Sequence, residues 1–185
     1  MNIDNSERLK FRLMDVTDTQ ALWQIDQDPL VMKFLNGGTP STKHEVNSVF
    51  MPRMQQYRNE ALGWGIWQVL NKCNDEYLGW ILIRPMAFFT DKPQLNDLEI
   101  GWRFFQHTWG NGFATEAAQA IQRAVVSVSV LSGTEVTHIS ALAVADNLAS
   151  IAVMKKMGMR FVKSFRHTDP IGDWDAVHYQ MSVSQ

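Results

Sequence analysis

The chain has 185 residues, a net charge of −2, 45% hydrophobic and 19% charged residues. That balance fits one folded domain with a sizeable core, and it excludes both a disordered chain and the basic footprint of a nucleic-acid binder. The single cysteine, Cys73, excludes an internal disulfide, and the five histidines have no metal-like spacing, so no metal is expected.

The amino terminus, MNIDNSERLKFRL, lacks the apolar core of a signal peptide, and no run approaches the ~18 apolar residues of a membrane span. A cytoplasmic protein with no membrane partner is expected, as monomer or homodimer. In chain order, alternation over 8–14 (RLKFRLM) predicts a first strand. Residues 15–18 supply turn and cap candidates for a helix over 19–27, closed at Asp28 and Pro29. NGGTPS (36–41) is a loop, and 42–59 is helical despite Pro52. Strands follow at 65–70, 78–84 and 98–105, then a helix over 115–131, a strand over 136–144 and a short helix over 148–157. Strands over 160–167 and 176–183 close the chain. Early antiparallel neighbours and a central strand–helix–strand unit make a mixed α/β (α+β) architecture. Trp64, Trp67, Trp80 and Trp102 lie on strands and most of them are expected in the core, and core packing accounts for Trp23 and Met32 better than an aromatic pocket does.

The central unit carries WGNGFATEA (109–117). Gly110 and Gly112 let the backbone turn tightly and bring its N–H groups close to a ligand. The following helix has apolar positions at Ala117, Ile121, Val125, Val128 and Leu131, so one face is buried and its amino-terminal end is fixed. Such an end suits a phosphate. A P-loop is excluded, because Gly112 is followed by Phe113, Ala114 and Thr115. A dinucleotide fingerprint lacks its third glycine, where Thr115 stands. On glycine spacing alone, a plain turn is the simpler reading.

EIGWRFFQHTWGNGFATEA resembles the acetyl-CoA-binding segment of the GNAT N-acetyltransferase superfamily, with its Gln/Arg-x-x-Gly-x-Gly/Ala signature. Trp109 stands at the Gln/Arg position, as in the RimJ/RimL-like branch of ribosomal-protein N-acetyltransferases. The order of Glu7-Arg8-Leu9, Asp28-Pro29-Leu30-Val31-Met32 and Asn147-x-x-Ser150 before Gly158 is similar to that branch, so the resemblance covers residues 7–183 as one domain. It implies a mostly antiparallel sheet of about seven strands, flanked by helices and splayed at its central strands. It also implies acetyl-CoA as co-substrate, with the diphosphate against the backbone of Gly110, Asn111, Gly112, Phe113, Ala114 and Thr115, and Trp109 beside it. The pantetheine arm then pairs with the strand at Phe104, Phe105 and Gln106, and Asn147 contacts its amides. Glu116 would repel a diphosphate, so its carboxylate is expected to point away.

Asn147 is also a good N-cap in its own right, with Lys155 and Lys156 in the last turn and Gly158 just beyond the helix. Many family members carry a tyrosine acid where Met154 stands, leaving Ser150 as the candidate that serves the departing thiolate, or as a plain first-turn residue. Acetyl transfer needs a neutral amine, a positioned thioester and a donor for the oxyanion, for which strand N–H groups near Phe104 are candidates. Glu99 is the general-base candidate, with an arginine partner as its alternative role. His107 is expected at the cleft rim. The acceptor implied by the resemblance is a primary amine, foremost an N-terminal α-amine of a protein or peptide. A small amine (aminoglycoside, polyamine or amino acid) and a non-catalytic acetyl-CoA-binding module are the alternatives.

Overall fold

The computed structural model describes residues 1–169 and 172–183. Strand β1 (Leu9–Leu13) leads through a short 3-10 turn into helices α1 (Thr19–Ile25) and α2 (Pro29–Asn36). Helix α3 (Lys43–Glu45) continues through a π-helical turn, Val46–Phe50, into α4 (Met51–Tyr57). Strands β2 (Gly65–Asn71), β3 (Tyr77–Met86) and β4 (Gln94–Phe104) precede the long helix α5 (Phe113–Ser132). Strand β5 (His138–Val144), helix α6 (Leu148–Lys156) and strands β6 (Arg160–Asp169) and β7 (Gly172–Ser182) complete the chain.

Helix α1 ends before Asp28, as expected, and helix α2 follows it at once over residues that the sequence left unassigned. Asp28 accepts the Leu30 N–H at 2.8 Å and Pro29 occupies the first turn, so the pair also opens a helix. Gly37, at φ 73°, closes it.

The seven strands form one sheet in the order β1-β2-β3-β4-β5-β7-β6. All neighbours are antiparallel except β4 and β5, which run parallel and pair only at Asp97–His138, Leu98–Ile139 and Glu99–Ser140. Beyond Glu99 the two strands part. β4 continues alongside β3 as far as Phe104, while β5 continues alongside β7 as far as Val144. The sheet therefore opens as a wedge between β4 and β5.

A buried polar cluster closes the wedge's base. Ser140 Oγ donates to Asp97 Oδ2 at 2.9 Å, Gln180 Nε2 donates to the same oxygen at 2.8 Å, and His178 Nε2 lies 2.8 Å from Ser140 Oγ. With the Ser140 proton directed at Asp97, His178 is the donor in its own contact.

Period-two alternation sorts the central strands between two faces. Ile81 and Ile83 of β3, Leu78 at a bulge in the same strand, and Leu98, Ile100 and Phe104 of β4 pack with Ala117, Ile121 and Val125 of α5 and with Met154 of α6. Full burial of side chains such as Ile121 contributes about 1.5–3 kcal/mol each. The opposite face carries Ile66, Trp80 and Leu82 beneath Leu22, Met54 and Tyr57. The apolar stripe of α5 ends earlier than expected: Val128 is half-buried and Leu131 is 85% exposed, while Ser129 is buried with its hydroxyl bonded to the Val126 carbonyl. Of the four strand tryptophans only Trp67 lies fully in the core; Trp64, Trp80 and Trp102 are half-buried. No helix among the described residues is long and apolar enough to cross a membrane.

Candidate active site

The loop after β4 holds its shape through its own polar groups. Asn111 Nδ2 donates to the carbonyls of Thr108 and Trp109 at 3.2 Å, and the Trp109 indole N–H donates to the Phe104 carbonyl at 2.8 Å. Gly110 and Gly112 sit at φ 78° and 80°, a left-handed backbone that favours glycine. Among the described residues the backbone N–H groups of residues 110–115 donate no hydrogen bond, and the first helical bond of α5 is Glu116 N–H to the Gly112 carbonyl. A Cβ at Gly110 would meet nothing within 4 Å. Six consecutive amide donors, with open space beside Gly110 and the Arg8 guanidinium beside Gly112, thus lie at the positive end of a 20-residue helix, an arrangement that fits a diphosphate.

Glu116 points away from that space. Its Oε1 accepts from Ser6 Oγ at 2.7 Å and from the Arg8 N–H at 3.0 Å, and its Oε2 accepts from Arg8 Nε at 2.7 Å. Burial pushes the Glu116 carboxyl up, but these donors and the Arg8 charge outweigh it and hold it below the ordinary carboxylate range. Arg8 also donates through Nη1 to the Asn111 carbonyl at 3.0 Å and lies 4.6 Å from the centre of the Phe113 ring. It therefore ties the start of the chain to the loop.

The wedge adjoins this loop. Phe105 donates its N–H to the Leu78 carbonyl at 3.1 Å, toward β3, so alternation turns the backbone of Phe104 toward the wedge. Gln106 is exposed in the 3-10 turn that follows, and His107 beside it stacks on Phe105 and bonds Glu76 at 2.9 Å. From the other side, Asn147 Oδ1 caps α6 by accepting the Ser150 N–H at 3.1 Å, while its Nδ2 donates to nothing among the described residues. Both a capping role and a ligand role are open to it. Ser150 Oγ accepts the Trp102 indole N–H at 3.2 Å, which leaves its own proton free to donate. Met154 is buried and offers no proton.

On the opposite face of the sheet, a cavity of about 210 Å³ lies between β2–β4 and helices α1 and α4. Its walls include Leu22, Ile66, Trp80 and Leu82, with Arg53, Arg84, Arg103 and Asp26 as its charged lining. Glu99 shares this face with Gly101 and Arg103 and stands opposite Arg84 in the β3–β4 register. Arg84 Nε donates to Glu99 Oε2 at 2.9 Å, and its Nη2 lies 2.8 Å from the same oxygen. Glu99 Oε1 accepts nothing among the described residues, so one carboxylate oxygen is left for a ligand. Arg103 pairs with the buried Asp26, which also accepts from Ser41 Oγ at 2.7 Å. Tyr57 lines the same cavity, and burial pushes its hydroxyl up to about 12, so it stays protonated.

Five contributors escape the reading of the sequence: Arg8, Asp26, Arg84, Arg103 and Trp102 in its contact with Ser150. The only available signal was strand alternation, which could have set Arg84 and Arg103 on the Glu99 face once the β3–β4 register was known. Among the described residues no group of three or more His, Cys, Asp or Glu could hold a metal ion.

Residues 8–160 match the Acetyltransferase (GNAT) domain family. Over 178 residues the chain is 29% identical to YkkB, an uncharacterized protein of Bacillus subtilis (strain 168), covering 94% of this chain and 95% of that relative. A GNAT-family acetyltransferase from Bacillus anthracis shares the fold at a TM-score of 0.74 and 24% identity, covering 98% of each chain. RimL, the ribosomal L7/L12 alpha-N-protein acetyltransferase solved with coenzyme A, does so at 0.72 and 16% identity, covering 99% of this chain and 98% of that one. With a family match over most of its length and a wedge-split sheet beside an amide-lined loop, the chain belongs to the GNAT acetyltransferase family and is an acetyl-CoA-dependent N-acetyltransferase.

Proposed function

We propose that this enzyme acetylates the α-amine at the start of a peptide or protein, as a member of the RimJ/RimL-like branch acting in the cytoplasm through one domain over residues 7–183. The observation that carries donor binding is the run of six unpartnered amides at residues 110–115, with the wedge beside it to take the pantetheine arm. Phe104 backs that arm, and Asn147 Nδ2 is the free donor on the facing wall.

The α-amine reading rests on Glu99. One of its oxygens is held by Arg84, so a single oxygen remains to take a proton. An α-amine has a pKa of about 7.7–8.0 and arrives partly neutral, whereas a lysine amine at about 10.4 does not. The neutral nitrogen attacks the thioester carbonyl, the C–S bond breaks, Glu99 receives the amine proton and the Ser150 hydroxyl hydrogen-bonds the departing thiolate. The free exposed Cys73 suits a reducing compartment. RimL, a ribosomal L7/L12 alpha-N-protein acetyltransferase, shares this fold, in keeping with the reading.

A thiol-release screen tests it, comparing peptides with a free α-amine, N-terminally blocked lysine peptides and small amines. At least about tenfold higher kcat/KM for the free α-amine peptides is expected, following the amine pKa difference. Faster turnover of blocked lysine peptides would overturn the α-amine assignment. Acetyl-CoA binding without thiol release from any amine would point to a non-catalytic binding module.

A further inference from the structure

The cavity over Glu99 has a charge imbalance. Three guanidiniums, Arg53, Arg84 and Arg103, line it together with the carboxylate of Asp26, while Glu99 reaches it through its pairing with Arg84. Arg84 is paired with Glu99, and Arg103 with Asp26. Arg53 has no carboxylate partner among the described residues. Its guanidinium lies 3.7 Å from the centre of the Phe89 ring, and that of Arg84 lies 5.3 Å from the same centre. Two cations thus converge on one aromatic ring, and of the two only Arg84 has a carboxylate partner among the described residues. The remaining lining is largely apolar, and Arg53 stands exposed at its solvent-facing rim, where an entering ligand would meet it.

We infer that the acceptor carries a carboxylate close to its amine and that Arg53 holds it. Resting on the transferase reading, this assigns the substrate class: an acidic amine, with the amine at Glu99 Oε1 and the carboxylate at the Arg53 end of the cavity. A planar guanidinium with its N–H donors unpaired is suited to bind a carboxylate through two parallel hydrogen bonds. The same excess positive charge disfavours polyamines and other polycations. The carboxylate could belong to the acidic side chain of a peptide's first residue or to a free amino acid.

Two matched pairs of amines distinguish these sources: Asp-Phe-amide against Asn-Phe-amide, and phenylalanine against phenylalaninamide. The member with the carboxylate should show about 10- to 100-fold higher kcat/KM in at least one pair, as expected for a hydrogen-bonded charge. The pair that responds identifies the source. Arg53→Gln should remove the preference, and Arg53→Glu should reverse it. Binding of N-acetyl-Asp-Phe-amide and N-acetyl-Asn-Phe-amide to the coenzyme A-loaded protein reads the same cavity without turnover. For a peptide source, tighter binding of the acidic product, abolished by Arg53→Gln, supports the inference even if no amine is turned over, in which case only the transferase reading fails. Equal kcat/KM within both pairs, or a preference that survives Arg53→Gln, overturns it.

Discussion

The Trp102 indole donates its N–H to Ser150 Oγ at 3.2 Å, joining β4 to α6 across the opening of the sheet. A hydroxyl that accepts one hydrogen bond is oriented to donate another, and here the free proton belongs to the residue proposed to serve the thiolate. Ser150→Ala should lower kcat by at least about tenfold, the scale of losing one oriented donor, while acetyl-CoA affinity changes little. Trp102→Phe keeps the ring and removes only the N–H, so a smaller loss of about 3- to 10-fold is expected. Single-turnover rates and calorimetry together check both. An unchanged rate for Ser150→Ala would leave the contact a purely structural link.

Gly110 offers a clean test of the amide cradle. An added Cβ there meets nothing within 4 Å, and Asn and Asp are the side chains that best tolerate its left-handed backbone. Gly110→Asn should retain much of the acetyl-CoA affinity, whereas the nearly isosteric Gly110→Asp should lose at least about tenfold through charge alone. Equal affinities of the two variants by calorimetry would move the diphosphate elsewhere.

For Glu99, the comparison is with Glu99→Gln across a pH series. A general base contributes about 10²–10⁴-fold, so kcat/KM near neutrality should fall by that range. The deficit should shrink as pH rises and the amine arrives neutral. A constant ratio at every pH would make Glu99 a positioning residue for substrate and Arg84, with no proton to remove.

His178 links pH to stability. Burial and the Lys163 charge lower its pKa from the ordinary value of 6.5, with burial the larger cause, and Asp97 opposes them. The folded chain therefore keeps His178 neutral at a pH where the unfolded chain binds a proton. The resulting stability is present above about 6.5 and is lost as pH falls from there through the lower folded value. Melting temperature should decline below that point in the wild type and less steeply in His178→Gln. Parallel curves for the two proteins would remove His178 as the source.

What the sequence reveals is what local chemistry sets. Alternation in β2, β3 and β4 and the two glycines before α5 need only their neighbours to be interpreted, and the splayed sheet follows from the family resemblance. Asp28 and Pro29 are ambiguous for a physical reason: an acidic residue before proline can end one helix or cap the next, and here Met32, buried one turn later, decides it. Leu131 continues the helical period of α5 in sequence, yet its side chain stays 85% exposed. The Arg8–Glu116 pair spans 108 residues, and the Arg84–Glu99 pair depends on a strand register, so neither leaves a local trace.

The π-helical turn at Val46–Phe50 fits one more residue into its circuit than an α-helical turn would. Everything after it, including Arg53 and the buried Met51, Met54 and Tyr57, takes its azimuth from that surplus residue. Deleting a single residue there would rotate α4 by about 100° against the sheet. The lining above Glu99 would turn outward while the amide-lined loop, on a separate element, kept its shape. On the proposed acceptor site, donor recognition and acceptor choice would thus reside in parts of the chain that can change independently, with the length of one helical segment setting the second.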